Sequence, residues 1–389
     1  MESVKFVLKN NIRQYGMLIA LVVIMVFFQI TTHGILLVPM NVTNLVLQNA
    51  YVFILAIGMT LTIVGGGNID LSVGSVVAFI GALCGTLIVT CKLNAGLGIA
   101  IALITGLLVG IWQGAWIAYM RIPAFIVTLA GMLTFRGLTI YMLQGLTIGP
   151  FPDAFQAISS GFVSDFLAVP GISLNMTAVF AGILICVLYL ISSARRRVIR
   201  KKNDYENQSF LLFLLKMIGV CAVIMLIAFW LAAYKGLPII FIIIAVLVFA
   251  YSFYTNRTVP GRHVYAVGGN EKAAKLSGIN TNRVLFAGYV NIGVLAAVAG
   301  VAFTSRLNAA SPVAGQNFEL DAIAACFIGG ASAYGGVGTI IGAIIGALVM
   351  GVLNNGMSIM GVGTDIQQIV KGLVLLAAVA FDVSSKKRA

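Results

Sequence analysis

The chain has 389 residues, 60% of them hydrophobic and 9% charged, with a net charge of +13 and a mean hydropathy of +1.06. Soluble chains average about 25% charged residues, so composition excludes a soluble multidomain protein and points to an all-α, polytopic membrane helix bundle. Five cysteines (Cys84, Cys91, Cys186, Cys221, Cys326) are scattered through apolar runs without a C-x-x-C pair, which argues against a disulfide framework or a zinc site and reads as small core residues.

A membrane-crossing helix needs about 20 predominantly apolar residues. Taken in chain order, such runs fall near 16–38, 44–64, 73–91, 95–119, 123–144 and 174–192. Six more lie near 210–231, 237–254, 284–306, 320–334, 336–356 and 363–382. The first run follows Lys5, Lys9 and Arg13 and looks like the start of a signal peptide. Its apolar stretch is too long and no small-residue cleavage site follows, so it reads as an uncleaved anchor. Between the second and third runs, Asp70 and Ser72 are suited to cap the third. The run 320–334 is short and glycine-rich and reads as a broken or re-entrant helix. Pro39, Pro150, Pro152, Pro170, Pro260 and Pro312 lie between runs, while Pro123 and Pro238 stand at a first turn, where a missing N–H does least harm.

Charge placement supports an even count of about twelve spans with both termini on the cytoplasmic side. The inner segments then hold Lys5, Lys9, Arg13, Arg121, the run Arg195–Lys202, Arg257, Arg262, Lys272, Lys275, Arg283 and the tail Lys386–Arg388. The outer segments hold only Lys92, Lys235 and Arg306. This is the positive-inside bias, and removing any one span breaks it. The run 195–202 accordingly reads as a topology signal rather than a lipid or nucleic-acid patch.

Glycines recur at four-residue spacing, Gly106, Gly110 and Gly114 in one run and Gly338, Gly342 and Gly346 in another. That spacing lines one helix face with small residues and lets backbones approach closely in lipid. The stretches 106–114 and 346–356 are alike and pair spans 2–5 with 9–12 as an inverted repeat, a common transporter plan. A second register aligns Val64-Gly65-Gly66 with Ile328-Gly329-Gly330 and disagrees with the first.

Catalytic chemistry is poorly represented. His33 and His263 lie in different loops, which supports neither metal ligation nor a nucleophile–histidine pair. No lysine follows a glycine, so the G-x-x-x-x-G-K-[ST] phosphate loop is absent and any ATP must be bound by another chain. An ion-coupled carrier, the alternative transporter class, keeps carboxylates deep in its spans. Here Asp70, Glu319, Asp321, Asp365 and Asp382 stand near run ends, and Arg136 and Lys371 are the basic residues well inside.

Two segments carry a resemblance. One is N-I-D-L-S-V-G-S, Asn68–Ser75; the other is G-R-H-V-Y-A-V-G-G-N-E-K-A-A-K-L-S-G-I, Gly261–Ile279. With P-A-F-I-V-T-L-A at 123–130 and L-N-N-G at 353–356, they closely resemble the ribose/xylose branch of bacterial ABC sugar-importer permeases. The resemblance covers nearly the whole chain as a single permease domain, 1–389. The stretch 193–236 would add a basic loop and a span pair, as in the longer permeases for xylose or for a mixed set of sugars. It implies an inner-membrane homodimer without a cofactor, a separate ABC ATPase and an extracytoplasmic sugar-binding protein.

The loop 255–283 would be the ATPase-coupling element, with Gly261, Arg262, Tyr265, Gly268, Gly269, Asn270, Ala273, Ala274, Leu276 and Gly278 in it. The residues themselves suit a short helix: Asn270 as N-cap, Glu271 in the first turn, Gly278 at the C-terminus and a small face at Ala273 and Ala274. Pathway candidates are Asn68, Asp70, Ser72, Arg136, Asn354 and Asn355.

Overall fold

The computed structural model describes residues 12–171, 173–203 and 209–386. Lys5, Lys9, Lys387 and Arg388, invoked above for topology, lie outside these, as do the side chains of Arg13 and Lys386. The described chain is all-helical, with no sheet among the described residues. In order it forms α1 (Ile12–Thr31), α2 (Pro39–Gln48), α3 (Ala50–Val64), α4 (Val73–Cys84), α5 (Ala95–Ala118), α6 (Ala124–Leu143), α7 (Asp153–Ser160) and α8 (Met176–Lys202). Then come α9 (Phe210–Ala232), α10 (Ile239–Arg257), α11 (Val259–Gly269), α12 (Glu271–Leu276), α13 (Thr281–Leu307), α14 (Phe318–Ile328), α15 (Ile340–Ile359) and α16 (Thr364–Lys386).

Nine of the described helical segments are long and apolar enough to cross a membrane, or ten when α2 and α3, which meet at a 46° bend, count as one. This is fewer than the twelve runs read from sequence. α14 has 11 residues and rises only about 16 Å, roughly half of a 30 Å hydrocarbon core; the glycine-rich loop after it carries the chain onward. α1 adds a shorter apolar helix over Gly16–Thr31.

Contacts divide the chain into two compact units, one of residues up to Leu36, Leu45–Ser160 and Ile240 onward, the other of Leu37–Asn44 and Gly161–Ile239. In the first unit every residue of α3 is buried, as expected of a helix that is apolar all round. α13 packs on α3, α4 and α5. Gly106, Gly110 and Gly114 are buried against it, and a Cβ at Gly110 would lie 2.6 Å from the Tyr289 carbonyl oxygen. Close packing of this kind supplies the attraction that apolar surface does not supply in lipid. Gly342 and Gly346 do the same for α15 against α14. Gly338 does not belong to that stripe: it precedes α15 with φ +153°, in a loop conformation that favours glycine.

The first unit has two ends set apart by the length of α13, 27 residues or about 40 Å. At one end Ile148 and Ala310 pair their backbones, and Asn308 accepts a hydrogen bond from Phe151 N at 2.8 Å. At the other, Gly336 N donates to the Val64 carbonyl at 2.8 Å. The chain from Ala310 through α14 to Gly336 therefore runs from one end to the other despite the short helix.

The second unit contains the stretch 193–236 and is larger than it. α8 and α9 pack together at Gly182, whose Cβ would sit 2.5 Å from that of Ala228. Asp165 holds the start of α8, accepting from Thr177 Oγ1 at 2.7 Å and from the backbone N–H of Thr177 and Met176. The Thr177 hydroxyl, followed by these N–H groups, keeps its carboxyl below the usual range. The basic run predicted as a loop instead completes α8, where cations suit the helix C-terminus. Arg197 lies 4.7 Å from the Phe213 ring centroid.

Candidate functional site

The segment 255–283 builds a helical turn closed at both ends by its own sequence. Thr258 Oγ1 accepts from Gly261 N at 3.1 Å and Pro260 occupies the first turn of α11. Asn270 Oδ1 accepts from Ala273 N at 3.0 Å to start α12. Ile279 N donates to Ala274 O and Gly278 N to Lys275 O, a Schellman ending that needs the φ of +85° at Gly278. The N-cap and C-terminal glycine expected from sequence are both present.

Arg121, from the turn between α5 and α6, holds this element against α13. Its guanidinium lies 2.6 Å from Glu271 Oε1 and donates to Thr281 and Asn282. Partial burial raises the Glu271 carboxyl, but hydrogen bonds from Arg121 and Thr281 and the nearby positive charges outweigh it, leaving it below its ordinary value. Both partners are more than 40% exposed, so the pair contributes at most about 1 kcal/mol.

The turn has two faces. Gly261, Val264, Val267 and Ala274 are buried, and the Tyr265 hydroxyl donates to Gly338 O at 2.9 Å. A Cβ at Gly268 would stand 1.7 Å from the Val64 carbonyl oxygen and 2.6 Å from Gly336 N, so α11 is seated backbone to backbone on the end of α3 and on the loop before α15. Facing away are Arg262, Gly269, Asn270, Ala273 and Gly278, with Leu276 90% exposed. Ala273 and Ala274 therefore do not share one small outward face; neighbours on a helix differ by about 100°, and Ala274 is the inward one.

Deeper lie two buried polar clusters. Asp70 Oδ1 accepts from Ser72 N at 2.8 Å and Ser72 Oγ at 2.6 Å, and Gln113 Nε2 donates to Ser72 Oγ at 2.6 Å. All three residues are buried. Ser72 stands at the N-cap position of α4 but its side chain makes no capping bond; its hydroxyl serves Asp70 and Gln113 instead, so the expected cap is not formed. Asn68 is half-buried in the same loop.

The second cluster centres on Asp321 in the first turn of α14. Tyr51 hydroxyl donates to Asp321 Oδ2 at 3.0 Å, and Lys371 Nζ lies 3.0 Å from Oδ1. Asn354 also reaches this carboxylate, while Asn355 is buried beside it in sequence. Tyr51 stacks on Phe318 with ring centroids 3.7 Å apart. Arg136 donates to the carbonyls of Pro312 and Ala314, at 3.2 and 2.6 Å, and interacts with Glu319. Arg136 and Lys371, the cations read from sequence as well inside their runs, thus flank α14. Sequence reasoning missed Tyr51 and Gln113 and set Glu319 and Asp321 aside as carboxylates near run ends; the readable signals were Gln113 within an apolar run and the need of Lys371 for a partner.

Among the described residues no three potential metal ligands cluster. The described chain is thus a multi-span helical bundle with a capped turn at one end and polar groups buried inside it. Residues 41–379 match the family described as the branched-chain amino acid transport system permease component, and the chain belongs to that family as a non-catalytic membrane subunit. It is 41% identical over 384 residues to the xylose transport system permease protein XylH of Haemophilus influenzae, covering 98% of this chain and 100% of that one. The Escherichia coli protein of that name is 40% identical, with 97% and 93% covered. The ribose import permease protein RbsC of Bacillus subtilis is 37% identical, with 88% and 85% covered. No solved structure matches the chain significantly.

Proposed function

We propose that this chain is the membrane pathway of an ATP-driven importer that moves a pentose, xylose before ribose, into the cytoplasm. The substrate follows the similarity to xylose and ribose permeases across nearly the whole chain. A separate ABC ATPase supplies energy, an extracytoplasmic binding protein delivers the sugar, and two copies of this chain pair around the pathway in the inner membrane.

The observation that carries the coupling role is the two-faced turn. Its inner face rests on the backbones of Val64 and Gly336, whereas its outer face offers Leu276 on a capped helix. An ATPase groove closing on Leu276 would push directly on the end of α3 and on the loop before α15. Both lead to the buried clusters at Asp70 and Asp321, which are positioned to sense that movement. Leu276→Asp is expected to weaken ATPase co-purification by about 30-fold, the scale of an interface hot spot, and to abolish uptake with normal insertion. Lys202→Ala, at the end of α8, should leave both intact. Undiminished ATPase capture by Leu276→Asp would remove the turn from the interface.

The topology that suits this role has both termini inside and twelve passages, α14 with its following loop supplying one. Helix partners support an inverted repeat of α3–α6 on α13–α16: α4 packs on α6 as α14 does on α16, and α5 on α13 as α15 does on α3. The glycine stripes do not follow that exchange, since α5 presents its stripe to α13 and α15 to α14. With native cysteines replaced, Cys at Asp153 should react with a membrane-impermeant thiol reagent in intact cells, and Cys at Lys272 should not. Labelling at Lys272 from outside would reverse the orientation.

A secondary carrier gains two observations, the buried Asp70 and Asp321. Asp70 is held by the Ser72 N–H and hydroxyl and Asp321 by Lys371 and Tyr51, which favours structural roles over a site for a coupling ion. The purified subunit should neither hydrolyse ATP nor transport without an added ATPase; uptake by this chain alone on an ion gradient would establish the carrier instead.

A further inference from the structure

We propose that the cavity between α10, α11 and α13 is a binding site for an anionic phospholipid. The cavity has a volume of about 710 Å³, within the range of small-molecule sites. Its walls are mainly apolar, with Leu61, Ala250, Val264 and Val284 among them. Two basic side chains, His263 and Arg283, line it, and no carboxylate does. Among the described residues neither side chain makes an ion pair or hydrogen bond, although Arg283 stands two residues from Thr281, which Arg121 engages. A guanidinium left free above an apolar chamber is complementary to a phosphate that carries hydrocarbon.

A second observation points to a ligand. Asn291 lines the cavity, Tyr251 hydroxyl donates to its Oδ1, and its Nδ2 is a buried donor without an acceptor. A buried donor without an acceptor is unfavourable, and a ligand that supplies the acceptor relieves it. A diacyl phospholipid has both complements, a phosphate for the basic rim and ester carbonyls for a donor further in, while its acyl chain fills the apolar walls. A free anion would satisfy only the rim, and a neutral detergent neither charge.

The site also touches the capped turn. Pro260, Gly278, Ile279 and Asn280 belong to its lining, and they are the entrance of α11 and the exit of α12. A lipid seated there braces the turn against α10 and α13. The proposal requires that the chain span a membrane; it does not require the sugar assignment or the ATPase contact.

The test is native mass spectrometry of the full-length protein in detergent, titrated with phosphatidylglycerol and, separately, phosphatidylcholine. The expected result is a retained phosphatidylglycerol adduct at least about fivefold tighter than phosphatidylcholine, the contribution of one basic residue at an anionic lipid. Arg283→Gln should erase that preference, and Ala287→Trp, which fills the cavity, should remove the adduct. Lys216→Gln on α9 should change nothing. Thermal unfolding without lipid shows that each variant is folded; Arg283, exposed at the helix surface, tests the site even if the tryptophan does not fold. Equal binding of the two lipids, or an unchanged preference in Arg283→Gln, would overturn the proposal. So would loss of the phosphatidylglycerol preference when inorganic phosphate alone is added.

Discussion

Lys371→Ala is expected to be among the most destabilising single substitutions in the bundle, at about 3–5 kcal/mol, the usual cost of stranding one partner of a buried ion pair. Lys371 is 18% and Asp321 2% exposed at the side chain, so water cannot replace the lost ammonium. Tyr51 would remain as a donor to the carboxylate, which places the effect toward the lower end. The measurement is the unfolding midpoint in detergent, read beside sugar uptake. Lys371→Met combined with Asp321→Asn removes both charges and should recover most of the stability. If Lys371→Ala unfolds at the wild-type midpoint, α16 is not held to α14 by this pair, and the cluster loses its structural role.

Gly268→Ala should have the second large effect, and of a different kind. The added Cβ would meet the Val64 carbonyl oxygen at 1.7 Å and Gly336 N at 2.6 Å, both backbone atoms that cannot rotate away. α11 must lift by more than an ångström, and overpacking of this sort costs about 1–3 kcal/mol. The hydrogen bond from Tyr265 to Gly338 O would be lost with it. The expected signature is a protein that still inserts and still binds its ATPase through the outer face, while that ATPase hydrolyses ATP without transport. Gly269→Ala is the matched control, because nothing lies within 4 Å of its Cβ position. Wild-type uptake by Gly268→Ala would show that the inner face of the turn does not transmit force.

These two sites were unequally legible. Lys371 was conspicuous as a cation inside an apolar run. Its partner was hidden, because Asp321 opens a helix that reads as a span end, and Tyr51 lies 270 residues away from it in sequence. The turn was visible in outline, since Asn270 and Gly278 act through hydrogen bonds to residues three and four places away. Which of its residues face inward was not, and Ala274 went to the wrong face for that reason.

By itself the sequence determined that the chain is a helical membrane protein, where its apolar runs lie, how its short connecting helices begin and end, and which permeases it resembles. Those properties depend on hydropathy along the chain and on contacts within a single turn, so they are written locally. The sequence also marked the run 320–334 as a broken helix, in agreement with the 11 residues of α14; only the tertiary structure decided that Gly338 belongs to a loop. It also decided that Ser72 serves Asp70 rather than capping α4, and that Lys371 and Arg136 flank one half-length helix. Ser72 also binds Gln113, 41 residues on, and the contacts of Lys371 and Arg136 join segments 50 to 178 residues apart, pairings that no local pattern records.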